Sequence, residues 1–233
     1  MRAETILSGK AAKAIAIDGP AAAGKTVVGT KLAKKLGYRF LDTGMMYRAA
    51  TVAALDASAD FSDLSSLAET AERMDIEAHA GPTGETRIIV NGSDITERLR
   101  SHEVDSKVSV VSAVPRVREV MVRAQRKLAA GGGIVMVGRD IGTVVLKDAD
   151  SKVYLTATLR TRARRRYDEM KDRPGQPPFE EVLAIMERRD QIDSSRETSP
   201  LKPAEDAVVL ETDDLTIEQV VCRLAELARG ARH

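Results

Sequence analysis

The sequence predicts an α/β fold, a parallel sheet flanked by helices. Three observations carry that expectation. Apolar runs of strand length alternate with segments whose apolar residues recur at helical spacing. A glycine-rich loop joins the first such strand directly to the first such helix. The chain has 233 residues and 43% hydrophobic content, enough for one sizeable domain with insertions and a real core.

Residues 1–12 lack the apolar run of a signal peptide and are expected as a loose arm. Ala14-Ile15-Ala16-Ile17-Asp18 reads as a buried strand. A helix follows at 25–36, where Val28, Leu32 and Leu36 share a face and Gly37 is a natural stop. The second strand is expected at 38–42, with a helix opening at Thr43. From 61 to 115 there is too much chain for one crossover. It holds a helix-like piece at 62–74 and β-like runs at 75–79 and 86–91 around the turn Gly81-Pro82-Thr83-Gly84. A polar helical segment at 94–112 completes an expected inserted subdomain, 61–112, with its own hairpin. The core would then comprise 13–60 and 113–233.

Beyond the insert, helices are expected at 116–130, 160–171, 179–190 and 216–229, and strands at 134–138, 152–156 and 207–211. The run Arg173-Pro174-Gly175-Gln176-Pro177-Pro178 stops one helix and makes a stiff connection. The stretch Arg188 to Arg196, followed by Pro200-Leu201, reads as a helix running into a loop. In the last helix Ile217, Val220, Val221, Leu224 and Ala228 share one face, with Thr216 and Glu218 at its start. Cys222 is expected in the core of that stripe.

The loop Gly19-Pro20-Ala21-Ala22-Ala23-Gly24-Lys25-Thr26 satisfies the pattern G-x-x-x-x-G-K-[ST] in its proper strand–loop–helix setting. Such a loop points backbone N–H groups inward at phosphate oxygens, beside the positive end of the next helix. Lys25 adds charge for the outer phosphates, and the Thr26 hydroxyl can ligate Mg²⁺. A nucleoside triphosphate site is the expectation. Leu41-Asp42-Thr43-Gly44-Met45-Met46-Tyr47-Arg48 follows the second strand, where ligands bind in open parallel sheets. A cap and a solvated arginine are its plain alternative. Val137-Gly138-Arg139-Asp140-Ile141-Gly142-Thr143 puts an Arg-Asp pair between glycines at a strand's end. The arginine suits a phosphate, and the aspartate suits a base, a sugar or a metal; a loop ion pair is the alternative. Arg160, Arg162, Arg164, Arg165 and Arg166, with Arg188, Arg189 and Arg196, form a local excess that suits phosphoryl transfer, or a solvated helix face.

Taken together these residues resemble the bacterial cytidylate kinases, within the nucleoside monophosphate kinases. The resemblance rests on the phosphate loop, Leu41-Asp42-Thr43-Gly44 with Tyr47-Arg48, and Pro115-Arg116-Val117-Arg118-Glu119. It continues with Gly138-Arg139-Asp140-Ile141-Gly142-Thr143, Arg189-Asp190, Asp193-Ser194, Arg196 and Pro200-Leu201, in the family's order along nearly the whole chain. It implies a P-loop kinase core, a monophosphate-binding insert and a lid at about 160–178. ATP would be the donor, held with Mg²⁺ by Gly19 to Thr26, and CMP or dCMP the acceptor. Thr43, Arg118, Asp140 and Arg196 would face cytosine. Ser109, Arg189 and Asp193 would face the sugar, and Arg48 and Arg139 the acceptor phosphate. Lys25, Arg139 and the lid arginines Arg165 and Arg166 would stabilise transfer. Three positions depart from the family pattern. Thr43 replaces a common serine, Val27 a small or hydroxyl residue, and Val137 a frequent acid.

Composition excludes other classes. Lys and Arg number 36 against 35 Asp and Glu, so the basic excess of a nucleic-acid binder is missing. Aromatics at 3% leave few stacking platforms. A single cysteine fits a reducing cytoplasm, and no stretch suits a membrane span. No seam for self-association is evident, so a monomer is expected. A kinase for another acceptor such as UMP, or a nucleotide-binding regulatory module without transfer, remains open.

Overall fold

The computed structural model describes residues 14–80, 86–171 and 176–230. The expected arm, the turn at 81–84 and part of the Pro/Gly connection lie outside the described residues.

Five strands make the main sheet: β1 (Ala14–Asp18), β2 (Arg39–Asp42), β6 (Ile134–Gly138), β7 (Ser151–Thr156) and β8 (Val208–Glu211). Their order is β2-β6-β1-β7-β8, with every pair parallel. The central strands bury both faces, so they read as unbroken apolar runs rather than alternations. Ile15, Ile17, Val135 and Val137 pack to one side, against α1 (Lys25–Leu36) and α8 (Ile217–Ala228). Ala16, Ile134 and Met136 pack to the other, against α2 (Thr43–Asp56) and α5 (Pro115–Ala129). Pro115 sits at the first turn of α5, where its missing N–H removes no bond.

Residues 61–112 contain α3 (Leu64–Arg73), the antiparallel strands β3 (Ile76–Ala80), β4 (Thr86–Val90) and β5 (Ser93–Asp94), and α4 (His102–Ala113). Leu67, Ile88, Leu99 and Val111 from this region join the same apolar cluster as Met46 and Met136. Among the described residues these elements therefore have no separate core. They extend the layer on the α2 side of the sheet. Two helices, α6 (Leu159–Glu169) and α7 (Phe179–Ser195), pack on each other through Ala163, Val182 and Met186 beside Ala21 and Ala22 of the phosphate loop.

Three local expectations need correction. The segment 94–112 is not one helix. A 3₁₀ turn, Thr96–Arg100, precedes α4, because the Ser101 side chain accepts from the Val104 N–H and restarts the helix there. Helix α7 runs on to Ser195 rather than ending at 190. At α8 the expected start holds, with Thr216 as the cap and Glu218 in the first turn, and Gln219 closes a capping box. Cys222 is exposed, not core. The buried face of α8 runs through Val220, Val221, Leu224, Ala225 and Ala228, which leaves position 222 on the outer side near Lys35.

Helix α1 lies so close to the sheet that a Cβ on Gly29 would come within 2.7 Å of both Phe40 and Val137. Gly29→Ala should therefore lower stability in denaturant unfolding. Overpacking of about 1–3 kcal/mol outweighs a helix-propensity gain of about 1 kcal/mol. Combining it with Val137→Ala should cost less than the sum of the single changes. Simple additivity would refute that contact as the cause.

Candidate active site

Because the main strands are parallel, the loops that leave β1, β2, β6 and β7 open at one edge. The loop after β1 starts at Gly19, with φ of 146°. A Cβ there would lie 2.0 Å from the Leu155 carbonyl oxygen, so the backbone of β7 admits only glycine. Ala22 and Gly24 are both left-handed, and α1 begins with no side-chain cap and no acid in its first turn. Its first N–H groups are left for an anion. Lys25 is buried, and its Nζ donates to the Pro20 carbonyl at 2.6 Å. Burial first, and the charge of Arg139 second, hold its pKa well below the ordinary lysine value.

Thr26 Oγ1 donates to Asp42 Oδ2 at 2.7 Å. The other Asp42 oxygen accepts from the Gly44 N–H at 2.9 Å and so caps α2. Sequence alone gives Asp42 no role, yet it joins Thr26 to the start of α2. The available signal was an acid at the C-terminal end of a strand, in register with Val137 on β6. Val137 itself faces α1 within the apolar cluster. Its carbonyl accepts from Thr43 Oγ1 at 2.9 Å, so the Thr43 hydroxyl is engaged by the β6 backbone.

After β6 the chain makes one wide turn at Ile141–Val145. Asp18, the last residue of β1, accepts from the N–H groups of Ile141 at 2.7 Å and Gly142 at 2.8 Å. It is 4% exposed, and burial pushes its carboxyl up to about 6 even though both N–H groups favour the charged form. The turn presents Asp140, whose Oδ2 accepts from Arg118 NH2 at 2.5 Å with both side chains buried. Arg118 NH1 also donates to the Ser112 carbonyl at 3.1 Å. Ser109 lies one turn earlier on α4, half-buried.

Arg139 pairs with Asp193 at 2.9 Å, and Arg196 flanks the same carboxylate at 3.8 Å. Burial raises the Asp193 pKa, but Arg139, Arg196 and Arg189 outweigh it and leave the group below its usual value. Arg189 forms no hydrogen bond or ion pair among the described residues. Burial, then the charge of Arg139, lowers its pKa to about 10, and Arg48 and Arg166 add to the effect. Arg48 is held by Asp105 of α4 at 2.6 Å and by the Leu99 carbonyl.

The expected site residues thus fall into two joined groups. Lys25 is repelled by Arg139 and Arg189 beside the phosphate loop, and Arg189 in turn by Arg139, Arg48 and Arg166. Arg118, Asp140, Asp193 and Arg196 interact beside them. Of the two arginines expected in a lid, Arg166 also pairs with Glu169, whereas Arg165 turns to Thr212 after β8. Arg162 is buried and donates to the Ala157 and Ala21 carbonyls and to Asp190. Among the described residues no three His, Cys, Asp or Glu side chains could jointly hold a metal, and no helix is long and apolar enough to cross a membrane.

The sequence matches the cytidylate kinase family model over residues 15–230. It is 49% identical over 215 residues to a cytidylate kinase from Caldanaerobacter subterraneus subsp. tengcongensis, spanning 92% of this chain and 94% of that one. It is 45% identical over 212 residues to a cytidylate kinase from Bacillus subtilis, spanning 91% and 94%. Among solved structures, an uncharacterized protein from Eubacterium ventriosum superposes with a TM-score of 0.51 at 12% identity, over 93% of this chain and 98% of that chain. That is a likeness of fold.

The Asp18 carboxyl gives the site a pH signature. Its ordinary pKa is 3.8, and in the folded chain it is about 6. Below both values it is protonated in either state. Between them the folded chain holds a proton that the unfolded chain lacks. Its contribution to stability therefore falls as pH rises from about 4 to 6, by about 3 kcal/mol in all. Urea unfolding of wild type and Asp18→Asn across that range measures it. The stability difference should move against the wild type as pH rises, and a difference independent of pH would disprove the shift.

Proposed function

The chain belongs to the cytidylate kinase family, and on that premise we propose that it transfers the γ-phosphoryl group of ATP to CMP or dCMP, giving the diphosphate and ADP. One observation supports the reading above the others. Arg139 and Arg189 both stand close enough to Lys25 to lower its pKa, and Arg139 lowers that of Arg189 as well. Such a concentration of positive charge is unfavourable until an anion enters.

Transfer between two phosphates asks little of the protein beyond position and charge. The acceptor is a phosphate oxygen already ionised at neutral pH, so no strong base is needed. The loop N–H groups and the end of α1 cradle the donor. Lys25 exchanges its bond to the Pro20 carbonyl for the outer phosphates, which raises its pKa and secures its proton. Arg48 exchanges Asp105 for the acceptor phosphate. Arg139 and Arg189 then lie between the two and meet the charge that spreads over the transferring group. The elements from α3 to α4 serve the monophosphate, and the arginine-bearing end of α6 closes over the reaction and excludes water.

Magnesium suits the donor set at Thr26. A hydroxyl backed by the Asp42 carboxylate is a hard-oxygen site with few protein ligands, as Mg²⁺ tolerates when it keeps waters and takes phosphate oxygens. When bound, it would neutralise charge between the outer phosphates. Thr26 would hold it, with Asp42 orienting the hydroxyl and accepting from metal-bound water.

Base choice follows from Arg118 and Asp140. The carboxylate accepts from the exocyclic amine of cytosine, while Arg118 donates to its ring nitrogen and carbonyl. Uracil turns an oxygen toward the same carboxylate and leaves it unpaired. Discrimination on the order of 10⁴ is reachable in a sealed polar site.

A coupled assay for ADP release over a panel of nucleoside monophosphates tests the proposal. CMP should exceed UMP strongly in kcat/KM, and equal use of both would defeat it. Lys25→Ala should remain folded and lose about 3 kcal/mol of transition-state stabilisation, roughly a hundredfold in rate. Near-native turnover would remove this loop from the chemistry. Asp140→Asn can offer an amide hydrogen to uracil, so it should narrow the CMP:UMP ratio mainly by harming CMP.

A further inference from the structure

Behind the Arg118–Asp140 pair lies a set of polar atoms that the proposed reaction does not use. The Tyr47 hydroxyl, Arg118 Nε and both amide atoms of Gln125 are buried without a hydrogen-bond partner. Gln125 is 1% exposed, Arg118 3% and Tyr47 8%. They occupy one locus. Gln125 follows Arg118 by two turns on the same inward face of α5. The guanidinium of Arg118 stacks over the Tyr47 ring at 5.2 Å, from α2. Gln125 lies within hydrogen-bonding reach of the Tyr47 side chain, whose hydroxyl pKa is pushed up to about 12 by burial.

A glutamine this deep in a helix is unfavourable unless its amide is used. Around it the needs are specific. Tyr47 O–H and Arg118 Nε–H are both donors, and the Gln125 carbonyl oxygen can accept from two. That one acceptor could serve both donors, directly or through a bridging water. The effect on Arg118 is directional. Its terminal nitrogens already spend one hydrogen each on Asp140 and Ser112. One hydrogen on each remains for a ligand. Fixing Nε as well leaves the guanidinium a single plane, and hence a single direction for those two hydrogens.

We propose that Gln125 is a positioning residue for base recognition, accepting from Arg118 Nε and the Tyr47 hydroxyl and so setting the plane in which Arg118 meets the base. This rests on the reading that Arg118 and Asp140 face the base of the acceptor. Gln125 touches neither substrate nor phosphate. It acts through Arg118.

Steady-state kinetics with CMP and with UMP at saturating ATP test it in three variants. Gln125→Met keeps the length and removes the polar atoms. Its KM for CMP should rise about tenfold with kcat within about threefold, and the CMP:UMP ratio of kcat/KM should fall in step. Its thermal midpoint should fall, because the Arg118 Nε–H and the Tyr47 hydroxyl are left buried without their acceptor. Gln125→Glu keeps an acceptor in the same place and should restore most of the ratio. An unaltered KM and ratio in folded Gln125→Met overturns the proposal. So does a loss in Gln125→Glu as large as in Gln125→Met, which would mark a packing role. If Gln125→Met does not fold, Tyr47→Phe removes one of the two donors without changing the packing volume much. It should shift KM and ratio in the same direction, and wild-type values there overturn the proposal. Wild-type protein that fails to prefer CMP defeats the base-facing reading itself, whatever the variants do. Wild-type preference with an unchanged Gln125→Met defeats only the role of Gln125.

Discussion

The buried carboxylate of Asp18 is the constraint on which the site's geometry depends. The ladder between β1 and β6 ends where Asp18 lies opposite Gly138. Past that point the backbone of neither strand holds the other. The phosphate loop departs from one and the turn bearing Arg139 and Asp140 from the other. Asp18 spans the gap by accepting from two successive N–H groups of that turn. A carboxylate in that place is expensive, as its raised pKa records. The expense is intelligible only if the distance between the two loops matters. A neutral residue would bury more easily but would leave two N–H groups unpaired and the turn free to drift.

From that fixed spacing the electrostatics follow. Lys25 and Arg139 are held near each other by separate strands, and Arg189 is brought up by α7. Asp42, Asp18 and Asp193 offset part of the repulsion without pairing off every cation. Complete pairing would have been more stable and would have left nothing for a phosphate. The site keeps local self-repulsion in the ligand-free state, a form of strain that a folded protein sustains where function requires it.

Much of this was legible in the sequence, and the failures are instructive. β1, α1 and β6 were read to the residue, because a pattern buried on both sides or ended by Gly37 leaves little choice. The phosphate loop was legible because its chemistry is local. What escaped depends on contacts distant in the chain. Thr26 to Asp42, and Asp18 to Ile141 and Gly142, join segments that no local pattern connects. Cys222 was misplaced because apolar residues on consecutive turns suggest a broader stripe than the sheet covers. Gln125 was invisible for the opposite reason. A polar residue in an amphipathic helix reads as exposed until the packing places it inward.

The arginines of α6 show how far composition falls short of assignment. All lie on one short helix, and as a group they suited a phosphate. The fold gives them different work. Arg160 and Arg164 lie over Phe179, and Arg164 also over Tyr167. Arg165 serves the end of β8 at Thr212. Arg162 is buried at the root of the helix, where it donates to the Ala21 carbonyl of the phosphate loop at 3.3 Å and pairs with Asp190 of α7 at 2.6 Å. A guanidinium suits that junction because its donors fan out in one plane toward several acceptors at once. The bond has a mechanical consequence. Motion of α6 as a whole would pull on Ala21 and deform the loop that must hold the triphosphate. Arg162 therefore belongs with the floor of the site, whereas Arg166, one turn further along α6, pairs with Glu169.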